Sequence, residues 1–167
     1  EEIAREVSGR LHLKPTVEQE KRLSKRSTEN AEAYQAYLRG RYYWNRRTEQ
    51  TLKRAVACFQ EAIDKDPGYA LAYAALADSY VAYTIYQVES PLETGPKIKA
   101  AASKALEIES TLAEPHASLA MTKMNYEWDW AGAEREFQRS IEIDPNYATA
   151  HAWYSLLLSA TARPEQA

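Results

Sequence analysis

Three histidines, His12, His116 and His151, have the widest chemical latitude in this chain. His116 and His151 stand 35 residues apart, one period of the repeat described below, so they could stack and share a metal. Neither sits in an HExxH pair, and no cysteine or paired carboxylate completes a ligand set. Each therefore reads as a half-buried packing residue, and no metal is expected. The sequence also lacks a glycine-rich phosphate loop and a nucleophile elbow. No catalytic residue, no cofactor and no enzyme activity are expected. The single cysteine, Cys58, cannot close an internal disulfide, and its place on the apolar side of a helix reads as a buried structural thiol.

Aromatic and basic residues offer binding rather than catalysis. Trp128-Asp129-Trp130 could clamp a ligand, but such residues more often cover a turn between helices, with Asp129 as the cap. Met121 and Met124 could soften a groove or fill gaps. Residues 21–54 carry ten Lys and Arg against three acids, a local excess of +7 in a chain of net charge −3. Interleaved with Tyr42, Tyr43 and Trp44, that segment could meet nucleic acid through phosphate contacts and stacking. The favoured reading is a solvated helix face beside an acidic remainder.

The elements that must position these residues are helices. Five glycines, with abundant Ala, Leu, Glu and Lys, and an apolar content of 45%, point to an ordered all-α chain. No run of about 18 apolar residues exists to span a membrane. The segment EEIAREVSGR lacks the apolar core of a secretory signal, so a cytoplasmic location is expected. Residues 1–28 read as linker helices or the tail of a preceding domain. Thr28 is the expected cap of the next helix, AEAYQAYLRGRYYWN. A return helix follows with Leu52, Val56, Phe59 and Ile63 at helical spacing. Residues 87–96, with two prolines, read as a loose connection, although Ser90-Pro91 with Glu93 has the form of a cap. Pro115 is tolerable in the first turn of its helix. Asp66-Pro67-Gly68 and Asp144-Pro145-Asn146 break the chain, since proline disfavours helix at the residue before it. Gly132 marks a close approach of helices.

These elements recur. Residues 133–151, AEREFQRSIEIDPNYATAH, match residues 55–73, AVACFQEAIDKDPGYALAY, at nine of nineteen positions. A weaker copy at 98–116 has Glu109-Ser110 in place of Asp-Pro. Copies of helix, turn and next helix make a repeat array, in which each unit buries its apolar face on its neighbours.

The pattern resembles the tetratricopeptide repeat (TPR). The residues that carry the resemblance are Gly40, Tyr43, Ala55, Phe59, Ala62 and Pro67 in the first unit, and Leu76, Ala77, Tyr80, Ala105 and Ser110 in the second. The third offers Leu119, Ala120, Ala133, Phe137, Ser140 and Pro145, and the fourth Ser155 and Leu158. The resemblance implies an all-α, TPR-like helix–turn–helix solenoid, an α-α superhelix of three full repeats plus the start of a fourth. Its repeat domain would cover 29–167, with units at about 31–69, 70–112, 113–147 and a truncated 148–167. The stretches AYLRGRYYWNR, DPGYALAYAALADSY and WDWAGAEREF also resemble the TPR region of bacterial multidomain regulators, in which it follows a winged-helix, nucleotide cyclase or kinase domain. The chain would then be a piece of such a protein.

A TPR concave face implies a groove that binds a peptide, a partner protein or another domain of the parent. Its candidate residues are Tyr34, Tyr37, Arg41 and Trp44 from the first unit, Leu71 and Asp78 from the second, and Met121 and Met124 from the third. Glu114 occupies a corresponding position. The Lys/Asn set with which chaperone-binding members clamp a terminal carboxylate is missing. Alternatives are a nucleic-acid surface on 21–54, which is disfavoured, or a structural spacer that self-associates through the truncated fourth unit. No membrane partner is expected.

Overall fold

The computed structural model describes residues 28–161, so the linker helices expected before Thr28 and the last six residues lie outside the described residues. Seven α-helices follow in order: α1 Ala31–Trp44, α2 Glu49–Lys65, α3 Ala70–Ile85, α4 Pro91–Ile108, α5 Glu114–Thr122, α6 Trp130–Ile143 and α7 Ala148–Ala160. A π-helical turn, Lys123–Glu127, extends α5. No strand interrupts them among the described residues.

Consecutive helices pack as antiparallel pairs, α1 with α2, α3 with α4 and α5 with α6. The first helices of successive pairs also touch, α1 with α3, α3 with α5 and α5 with α7, whereas α2, α4 and α6 make no comparable contact with one another. That asymmetry curves the array and makes α1, α3, α5 and α7 its inner row. Among the described residues no helix is long and apolar enough to cross a membrane. The fold is an all-α helix–turn–helix solenoid of three full units and the first helix of a fourth.

The repeated residues pack the units together. Phe59 and Phe137, equivalent in the two strongest copies, are both fully buried, as are Ala55 and Ala133. Gly40 is small because a Cβ there would lie 2.5 Å from the Phe59 ring. Where the first copy has Ala62 the second has Ser140, whose hydroxyl donates to the Ala113 carbonyl at 2.7 Å. The joints are equally regular. Asp66 and Asp144 each leave the helix in extended conformation, and each carboxylate accepts the backbone N–H two residues on, at 2.9 and 3.1 Å. Glu109 adopts nearly the same backbone, φ −141° and ψ 97°, so replacing Asp-Pro by Glu-Ser leaves the joint intact.

Several local expectations need correction. Asn30, not Thr28, caps α1 by accepting from the Glu32 and Ala33 N–H groups, while its amide donates to the Lys65 carbonyl. Thr28 is buried and donates instead to the Asp66 carboxylate. The connection 87–96 is half helix, because the Ser90–Glu93 capping box starts α4 at Pro91 and the helix runs through Pro96. Proline there removes one N–H, and the carbonyl it would have served belongs to Leu92, 77% exposed and open to water. Asp129 caps α6 as expected, but a Cβ on Gly132 would meet the Asp129 carboxylate at 1.9 Å. The glycine makes room for its own cap rather than for another helix. Cys58 is only half-buried.

Candidate functional site

The inner row brings together Tyr34, Tyr37 and Arg41 on α1, Asp78 on α3, Glu114 on α5 and Tyr147 at the start of α7. Tyr37 is seated between two rings, Phe59 at 5.7 Å and Tyr69 at 5.3 Å between centroids. Burial pushes its phenol pKa up, and Arg41, Glu114, Asp78 and Tyr34 are near enough to act on it electrostatically. Tyr34, one helical turn earlier, is 42% exposed. Arg41 and Leu71 are partly exposed. Of the expected groove residues these four keep some exposure, as do Glu114 and Tyr147.

Asp78 is the floor of that face. It is 1% exposed, the single charged residue of its helix, and burying a carboxylate without partners would be costly. Its partners come from two other units. The Ser118 hydroxyl donates to Oδ1 at 2.6 Å and the Tyr147 hydroxyl to Oδ2 at 2.9 Å. Burial raises the Asp78 pKa to about 6 against the pull of these two hydrogen bonds, with Glu114 pushing the same way as burial. Tyr147 is driven well above the usual phenol range, by burial first and by Asp78 and Glu114 next. One carboxylate thus ties the second, third and fourth units together.

The other expected groove residues lie below the surface. Trp44 is 5% exposed, and its indole Nε1 has no hydrogen-bond partner among the described residues. Its ring instead supports two guanidiniums, Arg47 at 3.6 Å and Arg41 at 4.9 Å. Met121 and Met124 are buried. Met121 lines a small cleft with Val81, Thr84, Gly95, Ile98 and Tyr126, apart from the Tyr37 group. For Met121 the reason is register: α5 is flanked by two neighbours in the inner row, so a position open on α1 is covered there. Ser118 and Tyr147 were absent from the expected site. The signal was present in Asp78, whose isolation in an apolar helix demanded partners.

The histidines and tryptophans are dispersed. His116 Nδ1 lies 2.8 Å from Glu136 Oε2, and that contact holds the Glu136 carboxyl below its ordinary range. His151 is exposed and its Nε2 meets the Pro145 carbonyl at 2.9 Å. Among the described residues no cluster of three His, Cys, Asp or Glu could hold a metal. Trp128 is 70% exposed and so does not cover its turn, although its ring lies 6.3 Å from Trp130.

No protein-family model matches the chain, and no curated protein matches its sequence. Its structure is similar to solved TPR domains. The first TPR of Spaghetti (RPAP3) bound to an HSP90 peptide, SRMEEVD, superposes with a TM-score of 0.60 at 14% identity, over 82% of this chain and 98% of that one. The TPR domain of Sgt2 from Aspergillus fumigatus gives 0.61 at 13% identity, over 85% and 87%. The TPR2B domain of yeast Sti1, in complex with pHsp70, gives 0.59 at 20% identity, over 79% and 98%. The described chain therefore has a TPR-like solenoid fold.

Proposed function

We propose that this protein is a non-enzymatic interaction module that docks a peptide or a partner domain on its inner face, at the α1 end. The observation that carries this is the accessible set Tyr34, Tyr37, Arg41 and Leu71 on a rigid floor of buried rings and the Asp78 hydrogen bonds. Aromatic side chains beside an arginine are the residue types in which binding energy concentrates, and a preformed floor lowers the ordering cost. Of the structures of similar fold, the Spaghetti (RPAP3) TPR holds an HSP90 peptide and the Sti1 TPR2B domain is in complex with pHsp70, which supports an interaction role for this fold. The Lys/Asn set of chaperone-binding domains is missing, so a chaperone C-terminus is not the ligand proposed. Within this reading the chain serves as the TPR module of a larger bacterial signalling or transcription regulator in the cytoplasm, and another domain of that parent is a natural occupant.

The test is selection from a displayed random-peptide library, followed by affinity measurement. Tyr34→Ala and Arg41→Gln should each weaken a selected peptide about tenfold, the usual scale for a hot-spot residue. Peptides that bind both variants as tightly as the parent sequence would remove the inner face from the proposal. A second reading, self-association through α7, rests on Leu156, 49% exposed on that helix. It predicts a concentration-dependent mass in light scattering that Leu156→Ser abolishes; a mass that stays monomeric ends it.

A further inference from the structure

Most cations of the described residues are paired with a carboxylate, and the arginines that are not, Arg135 on α6 apart, gather in one place. All six described lysines, at 53, 65, 97, 99, 104 and 123, are within ion-pair distance of a carboxylate. Arg39 and Arg139 are paired too, with Glu61 and Glu142. Arg41, Arg46, Arg47 and Arg54 have no carboxylate partner among the described residues, and all four gather at the turn between α1 and α2. Each is held over an aromatic ring. Arg46 lies 4.5 Å from the Tyr42 centroid and donates to its hydroxyl, Arg54 lies 5.6 Å from Tyr43, and Arg47 and Arg41 lie on Trp44. The nearby acid Glu49 is already neutralised by Lys53 at 2.6 Å.

Arg47 is also held at φ 52°, left-handed backbone that an arginine occupies at a cost. Stacking fixes the planar guanidiniums while leaving most of their N–H groups to donate, one of Arg46's being taken by the Tyr42 hydroxyl, and that removes part of the side-chain entropy that binding would otherwise cost. Such forks match carboxylates in bidentate fashion. Stacking room for a nucleic-acid base is reduced: Trp44 is buried and Tyr42 and Tyr43 each have an arginine over the ring, although Tyr42 stays 55% exposed, so an oligonucleotide is the competing probe in the test below.

We propose that the α1–α2 turn is a second docking site, formed by Arg46, Arg47 and Arg54, for an acidic segment of a partner protein, a run of Asp and Glu. It lies outside the inner-face set apart from Arg41, which borders both. Association there is steered by charge and weakens as salt screens it.

The experiment is fluorescence anisotropy of a labelled glutamate-rich peptide, with a glutamine-rich peptide and a single-stranded oligonucleotide as comparison probes. The glutamate probe should bind, and its affinity should fall about tenfold or more in the triple variant Arg46→Gln, Arg47→Gln, Arg54→Gln, the sum of three exposed charge contacts. The control Arg135→Gln and the inner-face variant Tyr34→Ala should bind it normally, which separates this site from the inner face. Arg46→Glu alone, at an exposed position, guards against a folding defect and should also weaken binding. Absence of glutamate-probe binding, equal binding by the triple variant, or tighter binding of the oligonucleotide through the same arginines would each overturn the proposal.

Discussion

Helices α1 and α3 occupy equivalent places in their units, yet one is half open and the other is nearly sealed. On α1 the inner-face residues Tyr34, Tyr37 and Arg41 keep some exposure. Of the corresponding residues on α3, Leu71 alone keeps some exposure, while Ala74, Asp78, Val81 and Ala82 are buried. The difference comes from neighbours: α1 meets only α3 along the inner row among the described residues, while α3 meets α1 and α5. The same register therefore yields a surface at one helix and a core at the next. A polar side chain at the sealed helix must be satisfied from within, and Asp78 is.

The comparison can be broken hardest at its shared floor. Phe59→Ala removes a fully buried ring that underlies Tyr37 and fills the space Gly40 leaves. Denaturant unfolding should show a loss of about 3–5 kcal/mol. A loss under about 1 kcal/mol would mean that α1 and α2 do not depend on this contact.

Titration sharpens the contrast next. Asp78 is raised to about 6 in the fold, from an ordinary value of 3.8. A raised carboxyl binds more protons folded than unfolded, so its contribution to stability is present at low pH and is lost as pH rises from about 4 to about 6. Asp78→Asn abolishes that dependence and can still bond both hydroxyls. The stability of the Asn variant relative to the parent should rise by about 3 kcal/mol between pH 4 and pH 7, on the order expected for a shift of this size. A difference that stays flat across this range would show that Asp78 is not the buried, hydrogen-bonded group described. Asp78→Ala leaves the Ser118 and Tyr147 hydroxyls unpaired and should be less stable than the Asn variant by about 1–3 kcal/mol.

A smaller effect lies in the turns. Arg47, Gln87 and Trp128 each follow the first helix of a unit in left-handed backbone, at φ 52°, 56° and 58°. Gln87 is exposed and makes no side-chain hydrogen bond among the described residues that Gly would forfeit, so Gln87→Gly should raise the melting midpoint, by up to about 1 kcal/mol in stability. A lowered midpoint would show that the turn tolerates its side chain at no cost.

Much of the fold was legible because the packing residues are themselves the repeat. Phe59 and Phe137, Ala55 and Ala133, and the two Asp-Pro joints recur because each unit solves the same packing problem. The π-turn at Lys123–Glu127, the helical Pro96 and the role of Asn30 were not legible, since each depends on local geometry that periodicity does not encode. The inner face was half legible. Spacing placed Tyr34, Tyr37, Arg41, Leu71 and Asp78 on the right row, but it could not say what the next unit covers. Met121 was expected at the surface and is core for that reason, and Trp44 and Met124, also expected there, are buried too.

The central claim is that the exposed inner-face residues bind while the buried Asp78 only holds. It is tested most directly by the affinity of one library-selected peptide for Arg41→Gln and for Asp78→Asn. The account predicts about a tenfold loss for the first and an unchanged affinity for the second. Full affinity in Arg41→Gln together with a loss in Asp78→Asn would contradict it.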